Sequence, residues 1–218
     1  MFTLAFDITT SFCSIALFEN DIRKDIFELQ TEFGQSEMLI SQIQNILERN
    51  HLNIQKLNLL SVCTGPGSFT GVRSSISAAR AFGLANKNLA LCGINAFEAY
   101  GASLDKQKRS DIVAVILETK REDFYVAYFD QNLNRISSPK AAVFEEIVRD
   151  LKSNSITFIG DGVQRFLSKQ TGLHIHDIVF TSHPPINQIA LSAIARFKEK
   201  KLDFPKPLYL KAADVCAK

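Results

Sequence analysis

The sequence predicts an α/β protein built from a βββαβα unit that occurs twice, and three observations predict it. Segments that alternate or run apolar as strands switch to helical spacing in a fixed order, and that order restarts near the middle of the chain. Local letters agree as well: a shift of 111 residues lays Ile15, Ala16, Phe18 and Glu19 over Val126, Ala127, Phe129 and Asp130, and Asp7 over Glu118. The polar stretch "DKQKRSD" separates the two copies and sets a boundary near residue 105, giving lobes 1–105 and 106–218.

In the first copy, "FTLAFDI" alternates as a strand, and "CSIALFEN" with "DIRKDIFELQ" reads as a hairpin turning near Asn20 and Asp21. From Gln35 to Arg49 the period becomes helical, with Leu39, Ile43, Ile46 and Leu47 on one stripe. The strand "LLSVC", the glycine turn with its helix over 68–85, the strand "LALCGI" and the helix "NAFEAYGASL" follow. The second copy reads "IVAVILE" as a strand, "DFYVAYFDQN" and "LNRISSP" as a hairpin, "AVFEEIVRDLK" as a helix, "SITFIG" as a strand and "DGVQRFLSKQ" as a helix. A further helix around 187–200 could pack back on the first lobe.

At 218 residues the chain can bury a sizeable core, and a composition of 46% hydrophobic and 22% charged residues is that of an ordinary globular protein. A formal charge of +2 gives no general argument for a nucleic-acid surface, though a local basic patch is compatible with it. Cys13, Cys63, Cys92 and Cys216 lack CxxC pairing, so neither a zinc spacing nor a disulfide framework is visible, and a reducing compartment is expected. The apolar opening lacks a basic n-region and no run reaches a membrane span, so the expected location is cytoplasmic.

A duplicated βββαβα unit is the architecture of the actin-like ATPase superfamily, a two-lobed, ribonuclease H-like fold that holds ATP between its lobes. ATP is therefore the first ligand to test. Phosphate gripping at the first hairpin needs an acidic residue at the strand end and a glycine turn that lets backbone N–H groups approach the oxygens. Here "FDITTSF" keeps Asp7, Thr9 and Thr10 without glycine, and "LETKREDFY" follows Glu118 with a bulky charged turn. There is no GxxxxGK[ST] loop. Asp7 reads better as a turn carboxylate than as a catalyst, although an autonomous ATP-dependent kinase or hydrolase using Asp7 and Glu118 is the alternative reading. The histidines form no HExxH, "HIH" has no visible third metal ligand, and "GPGSFTG" lacks the GxSxG elbow of a serine nucleophile. No catalytic or metal residue is assigned.

The stretch "TGPGSFTGVRSSISAARAFGLA" makes a sharp exit from its strand at Gly65-Pro66-Gly67, and Ser68 or Thr70 is placed to cap the helix. Gly71, Ser75, Ala78 and Phe82 form one stripe and Val72, Ile76, Ala79 and Gly83 another. Two small-residue faces suit close approach from two sides: burial within the monomer, or a helical bundle with a similar subunit. On the second view, Gly71→Arg or Ala79→Arg is expected to leave the fold intact and abolish the partnership.

"AFDITTSFCSIALF", "CTGPGSFTGVRSSISAARAFGLA" and "PLYLKA" together resemble the bacterial TsaB (YeaZ) family, and "VILETKREDFYVAYF" is similar to its second hairpin, with Lys120 and Tyr125 at matching positions. The resemblance implies a pseudo-enzyme of the actin-like fold with no intrinsic cofactor. Such a chain is expected to bind the TsaD transferase subunit as a heterodimer, to help recruit the TsaE P-loop ATPase, and to self-associate through the same surface. ATP and metal then belong to the partner subunits, and tRNA is met only indirectly. The reaction is threonylcarbamoyl transfer to N6 of adenosine 37 in tRNAs that decode codons beginning with A. Carried onto this sequence, the partner surface comprises Leu39, Ile43 and Ile46 with Phe69, Thr70, Gly71, Val72, Arg73, Ile76 and Ala79. Arg73 is suited to a salt bridge, to a nucleotide phosphate at the interface, or to solvent. The chain departs from the family at Gln35, where histidine usually precedes Ser-Glu, and at Lys120, where arginine is usual, so no role is carried to either.

Overall fold

The computed structural model describes residues 1–152 and 154–211; Cys216 and the final alanine of the PLYLKA run lie outside them. The chain forms two compact units, Met1–Ala99 with Pro184–Leu208, and Tyr100–His183 with the segment from Tyr209. This differs from a single cut near residue 105. Helix α6 (Ile186–Lys198) buries Ile186, Ile189, Ala190, Ala193 and Ile194, and it lies against strands of the first unit.

In the first unit, β1 (Phe2–Asp7), β2 (Phe12–Glu19), β3 (Ile22–Gln30), β4 (Leu59–Cys63) and β5 (Ala90–Ile94) form one sheet in the order β3-β2-β1-β4-β5. Strand alternation gives the sheet two distinct faces. Leu4, Phe6, Ile15, Leu17, Leu60 and Val62 meet α1 (Gln35–Arg49) and α2 (Phe69–Ala85) on one side. On the other, the smaller Thr3, Ala5, Ala16 and Ser61 alternate with them, which leaves room for α6 against β1, β2 and β4. Helix α3 (Ala96–Ala102) follows β5.

The second unit repeats the plan. Strands β6 (Ile112–Glu118), β7 (Phe124–Phe129), β8 (Lys140–Ala142), β9 (Ser155–Gly160) and β10 (His174–Phe180) lie in the order β10-β9-β6-β7-β8. Helices α4 (Phe144–Leu151) and α5 (Val163–Leu167) bury Ile147, Leu151, Val163 and Phe166 against Ala114, Ile116, Val126 and Phe158. Reading the sheet from its β8 edge, the order matches that of the first unit, so the repeat is real at the level of topology.

Two details differ from the sequence reading. "LNRISSP" is not the third strand: Asp130 Oδ1 accepts from Asn132 N and Asn134 N at 2.8 Å, the turn leaves only the isolated bridge Phe129↔Arg135, and β8 begins at Lys140. The uniform shift of 111 also fails in β6. Phe6 faces Ile15 across the first hairpin and Ile116 faces Val126 across the second. The shift of 111 therefore holds for β2 onto β7, while β1 maps onto β6 by 110, and a one-residue slip exchanges faces. Asp7 then corresponds to Leu117, and Glu118 stands on the opposite face of its sheet.

The glycine turn and the outer face of the first helices

The glycine turn after β4 is filled by the chain's own backbone. Ser68 N donates to Thr9 O at 2.7 Å, which brings the turn onto the β1–β2 connection. A Cβ on Gly67 would lie 2.5 Å from Thr9 O, and one on Gly71 would lie 2.1 Å from Ile8 O. Gly65, at φ +92°, supplies the left-handed step that reverses the chain. Ser68 Oγ caps α2 by accepting from Gly71 N at 3.3 Å. The glycines thus permit close packing of helix on hairpin.

Both hairpin carboxylates are engaged within the chain. Asp7 is fully buried and its Oδ1 accepts from Thr9 N at 2.9 Å, an Asx-type turn. Beside it, burial and then the Asp7 charge push the Cys63 thiol well up and the Cys13 thiol up to about 12, so both sulfurs are inert. Glu118 receives a two-pronged bond from Arg165 on α5, Nε and Nη2 each at 2.7 Å, and accepts from Lys120 N at 2.7 Å. Burial raises its carboxyl, but Arg165 and the backbone donors more than offset that and hold it below the ordinary carboxylate range. Arg165 also lies over the Phe124 ring at 3.8 Å. Behind this pair, burial lifts Asp161 to about 7 against the N–H of Glu118, which donates to its Oδ1 at 2.9 Å. Asp7 and Glu118 thus belong to separate local networks. Among the described residues, no three His, Cys, Asp or Glu side chains converge as a metal-holding group.

The expected partner surface divides between two faces. Leu39, Ile43, Ile46, Gly71, Val72, Ile76 and Ala79 are buried in the first unit's core, because the sheet face that needs covering is itself large and apolar. They are unavailable to a partner. Phe69, Thr70 and Arg73 stand on the exposed side of α2, where the Arg73 guanidinium lies 3.8 Å from the Phe69 ring centroid. The same outward side carries Ile40 on α1 and Leu84 on α2, exposed by 43% and 71%. Phe33, just ahead of α1, is 83% exposed. Its turn is held by Thr31 Oγ1 donating to Phe33 O at 2.6 Å and Gln35 Nε2 donating to Thr31 O at 2.7 Å.

The family model for TsaD, tRNA N6-adenosine threonylcarbamoyltransferase, matches residues 34–214. The chain belongs to that family. Its curated relatives include the tRNA threonylcarbamoyladenosine biosynthesis protein TsaB of Escherichia coli K12, 26% identical over 95% of this chain and 94% of the relative. The TsaB of Haemophilus influenzae is 29% identical over 67% of this chain and 54% of its own. YeaZ from Pseudomonas aeruginosa superposes with a TM-score of 0.79 at 15% identity, covering 96% and 99% of the two chains. An activator of 2-hydroxyisocaproyl-CoA dehydratase from Clostridium difficile, solved with bound ADPNP, superposes at 0.51 and 10% identity over 92% and 97%. These structural likenesses establish the actin-like ATPase fold. Membership of the TsaD family, with relatives named TsaB along nearly the whole chain, places this protein in tRNA threonylcarbamoyladenosine biosynthesis.

Within the family frame, Gln35 serves the turn that carries Phe33, and Lys120 at φ 59° donates its N–H to Glu118. Phe33, Ile40 and Leu84 were absent from the sequence-based surface. For Ile40 and Leu84 the signal is the large apolar residue out of phase with its own helix's buried stripe: Ile40 follows Leu39, and Leu84 lies five residues past Ala79.

Proposed function

We propose that this chain is the non-catalytic, activating subunit of a tRNA threonylcarbamoyladenosine synthesis complex. It docks a TsaD-type transferase through the outer face of α1 and α2 and helps recruit a TsaE-type ATPase, in the cytoplasm. ATP and metal are used by those partners. The observation that carries the proposal is the exposure of Ile40, Phe69 and Leu84 on the solvent side of two helices whose inner sides already satisfy the core. Apolar residues so placed are expected to have a partner. The filled glycine turn and the internally bonded Asp7 and Glu118 support an accessory role over turnover by this chain.

The test is complex formation by Ile40→Glu and Phe69→Glu with purified transferase subunit, read by calorimetry. Each is expected to weaken binding at least about tenfold, the loss of roughly 1.4 kcal/mol, while the melting temperature holds. Unchanged affinity in both variants would remove this face from the interface.

A further inference from the structure

The segment after α6 carries a feature that subunit docking does not use. "RFKEKKLDFPKP" gathers Arg196, Lys198, Lys200, Lys201 and Lys206 around two acids, Glu199 and Asp203, in a chain whose total formal charge is only +2. Its conformation is built. Gly93 N donates to Asp203 O at 2.7 Å, Leu208 N donates to Thr64 O at 2.9 Å, and Arg196 binds Asp203 at 2.8 Å, so the segment is tied to β5 and to the end of β4. Arg80 of α2 donates to Pro205 O at 2.8 Å and lies 5.2 Å from the Phe204 ring, which remains 54% exposed.

The charges sort into two groups. Arg196 is consumed by Glu98 and Asp203, Lys198 by Asp21, and Lys201 by Glu199. Lys200, held at φ 59° just past the helix end, and Lys206 beside the Phe204-Pro205 step are exposed and have no acidic partner among the described residues. Two exposed ammonium groups without an acidic partner among the described residues thus stand before and after Phe204 in sequence, and its exposed ring is backed by the Arg80 guanidinium. Phosphate neutralised by lysine, with a base stacked on an aromatic face, is the contact chemistry of single-stranded nucleic acid. A protein partner would more readily use an apolar patch depleted of lysine.

We propose that the Lys200–Lys206 segment is an RNA contact, with Lys200 and Lys206 on backbone phosphates and Phe204 against a base. The occupant is the tRNA on which this family's pathway acts, and the contact is weak and salt-dependent. It does not rest on the docking of a transferase to α1 and α2.

The experiment is fluorescence anisotropy of a labelled, unmodified tRNA transcript with the full chain, between about 50 and 200 mM salt, for the parent, Lys200→Glu/Lys206→Glu and Phe204→Ala. The parent should bind with an affinity that falls as salt rises. The double variant should lose about tenfold in affinity and show a salt slope smaller by about two. Phe204→Ala should lose about tenfold without changing the slope. Melting curves confirm folding, and transferase affinity, measured in parallel, should stay unchanged. No binding by the parent, or equal RNA binding by all three proteins, would overturn the proposal. So would loss of transferase binding with RNA binding intact, which would assign Phe204 to a protein partner.

Discussion

Gly71 sits in the first turn of α2, and the carbonyl oxygen of Ile8 lies 2.1 Å from where its Cβ would be. Backbone on one side and a capped helix on the other leave little room to relax, so Gly71→Ala should cost at least the ~1–3 kcal/mol typical of overpacking. Urea unfolding should show a lowered midpoint. This replaces the expectation that Gly71→Arg is a clean surface probe, and Ala79→Arg fails likewise because Ala79 is fully buried. Asp161 makes a separate prediction. Its folded-state value of about 7 lies above the ordinary 3.8, so the protonated form is favoured by folding. That stability is present below about pH 4 and is lost as pH rises through 7. Stability measured from pH 4 to 8 should therefore fall through this group, and Asp161→Asn should flatten that part of the profile. A parent profile unchanged by the substitution would count against the buried ionisation.

At the scale of elements, α1 and α2 each bury one apolar side in the core and carry isolated large apolar residues, Ile40 on α1 and Phe69 and Leu84 on α2, on the other. Ile76→Glu places a charge in the core and should unfold the first unit, whereas Ile40→Glu changes a side already in water and should leave the far-UV circular dichroism signal and melting point near the parent's. Equal loss of structure in both would mean that the outer side is not free. The order of strands and helices was legible in the sequence because period and turn chemistry repeat. The inward and outward sides of α2 were not, since Gly71, Ala78, Ala79 and Gly83 give spacing without polarity. The equivalence of Asp7 and Glu118 failed for a related reason. Eight residues separate Phe6 from its partner Ile15, and nine separate Ile116 from its partner Val126, so one extra residue in the second turn shifts the strand face while the letters still align. Likewise β8 was displaced because Asp130 closes a compact turn with Asn132 and Asn134 that alternation alone does not reveal.

For the whole molecule, the duplicated sheet order and the family match belong together: the same strand order is kept in both units, while in the first the glycine turn after β4 packs on the chain's own hairpin. On the proposed reading, the outer sides of α1 and α2 and the basic segment after α6 are both used through partners. The most direct measurement is isothermal titration calorimetry of the full chain, with purified transferase subunit in one run and ATP with Mg²⁺ in another. The account predicts saturable binding to the transferase and no heat from ATP. Binding and turnover of ATP by the isolated chain, with no affinity for the transferase, would contradict it.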